Sequence, residues 1–133
     1  MTELYSGEAD IGPKRNAAMF VEPDGVFVVV RDDDGTAVAC GGVARFDETR
    51  GELKRMYVLP QHRGRGFGRL VLVELEAHAR RLGYSGLVLE TGDRSKAALR
   101  LYESFGYVRI PCYPPYDSRA LSLCFEKRLP PLE

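Results

Sequence analysis

The sequence has no surplus of either charge: 19 Lys and Arg balance 19 Asp and Glu. Nonspecific nucleic-acid binders usually carry an excess of positive charge, so no nucleic-acid partner is expected. Long hydrophobic runs are missing too. The apolar run Val26 to Val30 falls far short of a span of roughly 20 residues, so no membrane partner is expected. Met1 to Asp10 holds acids and no apolar stretch, and no signal peptide is visible there. Cysteine is scarce. Cys40, Cys112 and Cys124 contain no Cys-x-x-Cys pair, and their number is odd. This predicts neither a zinc knuckle nor a disulfide framework, but buried free thiols in a reducing cytoplasm. Internal repeats and linkers are absent as well, so residues 1–133 read as one domain, with 1–25 a poorly defined partial element.

What is present is a folding composition. The chain is 44% hydrophobic and 29% charged, which argues against a disordered chain. Lys14 to Phe20 reads as a short helical piece between the breakers Gly12-Pro13 and Pro23-Asp24-Gly25. Val26 to Arg31 and Ala37 to Phe46 read as a strand hairpin around the turn Asp32-Asp33-Asp34-Gly35. Those aspartates lack the alternating spacing and closing glutamate of a calcium loop, and no metal is expected. Glu52 to Val58 is a third strand, stopped by Pro60. The apolar stripe Leu72, Leu75, Ala79, Leu82 predicts a helix ending at Gly83. Leu87 to Glu90 is a short buried strand. Ser95 caps a second helix to about Ser104, with Ala98, Leu101, Tyr102 and Phe105 inward. Tyr107 to Ile110 and Leu121 to Glu126 close the chain as strands. The order is that of an α+β domain in which Glu52 to Glu90 forms a right-handed parallel crossover.

The segment between the third strand and its helix carries the chemistry. Arg63, Arg65 and Arg69 alternate there with Gly64, Gly66 and Gly68, and Phe67 lies among them. The first amides of a helix have no intrahelical partner, and that end of the dipole is positive. Glycines bare the backbone and arginines add cations, so the segment predicts a cradle for phosphate or pyrophosphate. A P-loop would need Gly-Lys-Ser/Thr, which is absent. In a dinucleotide fingerprint the third glycine would come one residue later, directly after a strand in a doubly wound sheet.

These residues resemble a known family. Gln61-His62-Arg63-Gly64-Arg65-Gly66 is similar to the Gln/Arg-x-x-Gly-x-Gly/Ala motif of the GCN5-related N-acetyltransferases (GNAT superfamily). Glu52 to Pro60 resembles the strand that runs into that motif. Ala98 to Tyr107 resembles the family's Ala-x-x-Leu-Tyr-x-x-x-Gly-Phe/Tyr segment. The resemblance spans about residues 26 to 129. It implies a mixed, mostly antiparallel central sheet with helices on both faces and a splayed parallel strand pair. Only twenty-five residues precede Val26. The N-terminal strand or helix is therefore expected to be shortened or absent, leaving an open acceptor side or one completed by a second chain in a homodimer.

The resemblance also implies a cofactor and roles. Acetyl-CoA (coenzyme A) would lay its pantetheine along Met56, Tyr57 and Val58 and its pyrophosphate on the amides from Arg63 to Arg69, with Ser95 and Ala98 nearby. Ser95 stands where many members have an asparagine. Tyr102 matches the tyrosine that protonates the leaving thiolate, and a phenol is a neutral donor near pH 7. The reaction is acetyl transfer to a small-molecule primary amine or amino acid by direct attack in a ternary complex. A backbone N–H near Tyr57 or Val58 would meet the developing oxyanion. Glu52 is the first candidate base and Glu90 the second; His62 and His78 are weaker. On the acceptor side, Arg45, Lys54 and Arg55 either meet a substrate carboxylate or pair with Glu48 and Glu52. Tyr113 and Tyr116, in a loop stiffened by two prolines, either wall the pocket or form a rigid connection or dimer contact. Two other readings stay open: a non-catalytic acyl-CoA sensor, and acetylation of a protein or peptide amine.

Overall fold

A computed structural model describes residues 3–6, 19–92 and 95–131. Its strands are β1 (Glu3–Ser6), β2 (Val26–Arg31), β3 (Ala37–Arg45), β4 (Arg50–Val58), β5 (Gly86–Thr91), β6 (Val108–Ile110) and β7 (Leu123–Arg128). Helix α1 (Phe67–Arg81) follows β4 and helix α2 (Lys96–Ser104) follows β5. The strands form one seven-stranded sheet in the order β1-β2-β3-β4-β5-β7-β6. Only β4 and β5 run parallel; the other neighbours are antiparallel. This is the mixed, mostly antiparallel sheet that the resemblance implies. The N-terminal strand is short but present, pairing Glu3 with Arg31 through Ser6 with Val28. The helical piece expected from Lys14 to Phe20 falls largely outside the described residues.

Period-two alternation explains β2. Val26, Val28 and Val30 join the larger core with Val71, Leu72 and Leu75 of α1, while Phe27 and Val29 join Phe20 and Ala44 in a smaller cluster. A strand covered on both faces reads as continuously apolar, as this one does. Asp32 closes the hairpin: its Oδ1 accepts from the amides of Asp34 (2.9 Å) and Thr36 (3.0 Å). Both helices pack on the larger cluster, α1 through Val71, Leu72, Leu75 and Ala79 and α2 through Tyr102. Ser95 caps α2 by accepting from the Ala98 amide at 3.1 Å, as its position predicts.

Two irregularities shape the centre of the sheet. Cys40 pairs with Tyr57 but Gly42 pairs with Lys54, so Gly41 faces both Arg55 and Met56. The extra residue is a β-bulge, with Arg55 in the left-handed region at φ 60°. Beyond it the parallel pair opens. β4 and β5 are paired from Arg50↔Gly86 to Leu53↔Leu89 and no further, while β5 continues to Thr91 along β7 alone. Lys54 to Val58 therefore run beside a gap.

One expectation is overturned. Cys112 and Cys124 form a disulfide across 5.0 Å between their Cα atoms, and Cys40 alone is a free thiol. The cause is register: β6 pairs Ile110 with Cys124, which brings Cys112, two residues on, beside the same strand. Nothing in a twelve-residue separation announces that pairing. The argument for a reducing compartment from free thiols falls with it.

Candidate functional site

The gap beside β4 opens into a cleft of about 660 Å³ bounded by the end of β4, the glycine segment, α1 and α2. Met56, Tyr57 and Val58 form one wall, and Ser95, Ala98 and Tyr102 the facing one. Between them lie Arg63, Gly64, Gly66, Phe67, Gly68 and Arg69. The structure thus brings together nearly all residues singled out for a nucleotide-bearing cofactor.

The glycines do different jobs. Gly64 (φ 82°) and Gly66 (φ 85°) are left-handed, and a β-carbon on either would meet nothing within 4 Å. Handedness, not crowding, requires glycine there, and the backbone stays open to a ligand. At Gly68 a β-carbon would lie 3.2 Å from Leu101 Cδ2, so this glycine sets how closely α1 approaches α2. Gly66 caps α1, and the helical ladder begins with Leu70 N–H donating to Gly66 O at 3.1 Å. The amides of Phe67, Gly68 and Arg69 have no partner inside the helix. The arginines divide likewise. Arg63 donates from Nε to Val58 O at 3.0 Å and covers the Tyr57 ring. Arg69 stacks over Phe105 and donates to Ser104 Oγ at 3.3 Å. Arg65 is exposed and does not line the cleft, although its backbone joins the two left-handed glycines.

The cleft also holds residues outside the set expected to hold the cofactor. Ala97, Arg100, Leu101 and Ser104 face it from α2, and His62 from the short 3-10 turn Pro60–His62. The helical period from Ser95 contains the signal for the first four. His62 Nδ1 is buried without a hydrogen-bond partner among the described residues. Buried polar atoms are rarely left so, which marks this wall as built to meet a polar group.

A smaller cavity of about 270 Å³ lies where the strands part. Glu52, Lys54 and Arg55 border it from β4, Glu90 and Thr91 from β5, and Tyr116 from the 111–122 loop. Met56 and Tyr102 border both cavities, so the two spaces meet at a phenol. Tyr102 is otherwise buried against Tyr107 and Phe125. Glu52 is 13% exposed; its Oε2 accepts from the Tyr113 hydroxyl at 3.0 Å and its Oε1 lies 3.5 Å from Lys54 Nζ. Burial first, and then the Glu52 carboxylate beside it, push the Tyr113 phenol well above the ordinary tyrosine range. Glu90 Oε2 accepts from Ser122 Oγ at 2.8 Å.

Arg45 does not belong to this group. At the far end of β3 it pairs with Asp24 (3.0 Å), lies over the Tyr84 ring and donates to Asp47 O. Its partner is neither a substrate pocket nor the Glu48 carboxylate. Arg55 borders the cavity while its guanidinium also lies 5.5 Å from the Phe20 ring. Among the described residues no cluster of three or more His, Cys, Asp or Glu is placed to hold a metal ion, and no helix is long and apolar enough to cross a membrane.

A parallel strand pair splayed at a bulge, with a glycine-rich helix start set into the opening, defines the acyl-CoA transferase class of fold. Known proteins agree. The sequence model of the acetyltransferase (GNAT) family matches residues 2–107. An IAA acetyltransferase of Azospirillum brasilense is 41% identical over 109 residues, 81% of this chain and 71% of that protein. An uncharacterized N-acetyltransferase of Schizosaccharomyces pombe is 43% identical over 86 residues, 64% of this chain. The chain spans about half the length of that relative, 53%. A solved Klebsiella pneumoniae structure, whose name puts it among the acyl-CoA N-acyltransferases, superposes with a TM-score of 0.81 at 31% identity, covering 97% of this chain and 98% of its own. The chain belongs to the GNAT acetyltransferase family.

Proposed function

We propose that this chain is an acetyl-CoA-dependent N-acetyltransferase acting on a small primary amine. One observation carries the reading: Tyr102 and Met56 border both the large cleft and the small cavity, so a cofactor and an acceptor held in the two spaces meet at a proton donor.

The residues present suit acetyl-CoA. The unpaired edge of β4 from Lys54 to Val58 offers main-chain groups to a pantetheine laid alongside, which is β-augmentation by a small molecule. Open left-handed glycines and partnerless amides suit a pyrophosphate, as does the orphaned His62 nitrogen in the same wall. When bound, acetyl-CoA supplies an activated acyl thioester. The chain's own groups manage the protons. Tyr102 holds a phenolic proton at the junction and acts as general acid. Glu52, held by Tyr113, accepts the proton that the amine must lose; an alkyl ammonium has a pKa near 10.4, so a base is needed. Glu90 is the second carboxylate within reach of the same space. Positioning of two reactants on either side of Met56 and Tyr102 supplies much of the remaining rate.

The acceptor cavity argues for a small substrate. At about 270 Å³ it lies just below the range of roughly 300–1,000 Å³ typical of small-molecule sites. Glu52 and Glu90 are balanced by Lys54 and Arg55, which suits an amine that carries a carboxylate better than a basic peptide. The test is release of free coenzyme A thiol from acetyl-CoA across a panel of amino acids, small amines and basic peptides. Turnover with a small amine is the expected result. Tight acetyl-CoA binding without turnover on any member would make the protein a sensor instead.

A further inference from the structure

We propose that Tyr113 is a positioning residue, holding Glu52 as an aimed carboxylate from outside the cofactor-binding segment. The inference rests on the assignment of Glu52 as the base. The Tyr113 hydroxyl donates to Glu52 Oε2 at 3.0 Å, although sixty-one residues separate them. That arm is braced on both sides: the Tyr113 ring meets Phe46 edge-on at 4.7 Å and Tyr116 at 5.7 Å. Its base is closed by Cys112–Cys124, one residue away. The far end of the same loop donates from Ser122 to Glu90, the other carboxylate of the cavity. The loop thus presents one hydroxyl to each acid.

A carboxylate free to rotate offers its lone pairs anywhere. One oxygen of Glu52 is fixed by Tyr113, and the other is left to Lys54 at 3.5 Å and to the cavity. The charged and titratable groups around Glu52 are Lys54 and Arg55 from its own strand, Glu90 from β5, Tyr102 from α2, and Tyr113 and Tyr116 from the loop. Of the two loop phenols it is Tyr113 that donates to Glu52. Burial keeps that phenol protonated throughout the working range, so it stays a donor.

The experiment compares Tyr113→Phe and Glu52→Gln with the unsubstituted chain. Phenylalanine keeps the ring packing and removes only the donor. Carboxyl-labelled NMR of the full chain at neutral pH, with the Glu52 signal assigned by its loss in Glu52→Gln, needs no acceptor. In Tyr113→Phe the Glu52 carboxyl signal is expected to move, because Oε2 loses the hydrogen bond that Tyr113 donates. With the best amine of the panel, kcat should fall about tenfold through misplacement of the base, while KM for acetyl-CoA and acetyl-CoA affinity stay unchanged. A carboxyl signal and a kcat that stay put in Tyr113→Phe overturn the inference. Full turnover by Glu52→Gln is a different failure: it removes the base itself, and the positioning role with it.

Discussion

A β-carbon placed on Gly41 would come within 2.6 Å of the Met56 sulfur. The same carbon would lie 2.9 Å from Val71 Cγ1 and 3.0 Å from Leu75 Cδ1, so α1 closes this site from above. Gly41 is thus where the bulge of β4, the helix and the cleft wall meet. Gly41→Ala should cost about 1–3 kcal/mol, the usual range for overpacking, and should push Met56 toward the cleft. Denaturant unfolding checks the first effect. Calorimetry with coenzyme A checks the second, with weaker binding expected.

Gly66 presents the opposite case. No atom lies near its absent side chain, but its φ of 85° penalises any other residue. Gly66→Ala should cost roughly 1–2 kcal/mol of stability from handedness alone. Gly66→Glu should pay the same conformational penalty and also set bulk and negative charge in the cradle. Acetyl-CoA binding lost in the glutamate variant but largely kept in the alanine variant is the expected pattern. Equal affinities would remove the pyrophosphate assignment.

Tyr102→Phe keeps the ring against Tyr107 and Phe125 and removes one hydroxyl. A general acid typically contributes about 10²–10⁴ in rate. Turnover should fall within that range while acetyl-CoA affinity changes little. A variant that turns over normally would leave Tyr102 as core alone.

Alkaline stability follows from a second tyrosine. Tyr107 donates to Glu76 Oε2 at 2.9 Å, and burial first, then the Glu76 charge, raise its phenol far above the ordinary value. Tyr113 is shifted in the same direction. A folded-state pKa above the unfolded one stabilises fully below the unfolded value, about 10, and that contribution fades as pH rises toward the folded value. Unfolding free energy should therefore drop between pH 9 and pH 11. Tyr107→Phe should drop less, as read by urea midpoints; an identical slope would remove Tyr107 from the account.

Thiol counting tests the covalent pairing. The denatured, unreduced chain should yield one alkylatable cysteine, Cys40, and the reduced chain three. In the native state Cys40 should react slowly, because burial raises its thiol pKa. Three reactive thiols without reductant would refute the bond.

Local chemistry explains which features were legible from residues alone. Strand alternation in Val26–Arg31, the stripe of α1, the Ser95 cap and the glycine–arginine segment each rest on neighbours within one or two turns of chain. The features that escaped depend on register between distant segments. The bulge at Arg55 appears only when β3 is laid beside β4. The Cys112–Cys124 bond needs the β6–β7 alignment. Arg45 was separated from Arg55 by pairing with Asp24, a residue from before the first hairpin strand. Tyr113 reads from sequence as a pocket wall, a rigid connection or a dimer contact, whereas its hydrogen bond to Glu52 is a tertiary fact.

The large cleft is lined entirely by residues between Met56 and Ser104, whereas Tyr116 joins the small cavity from later in the chain and Tyr113 and Ser122 hold its two carboxylates. The rest of the small cavity comes from β4, the end of β5 and α2, interleaved along the chain with the residues of the cleft. Exchange of residues 113–122 would therefore re-line one side of the small cavity and at the same time release Glu52 and Glu90 from Tyr113 and Ser122, so the cavity's shape and the setting of its carboxylates change together.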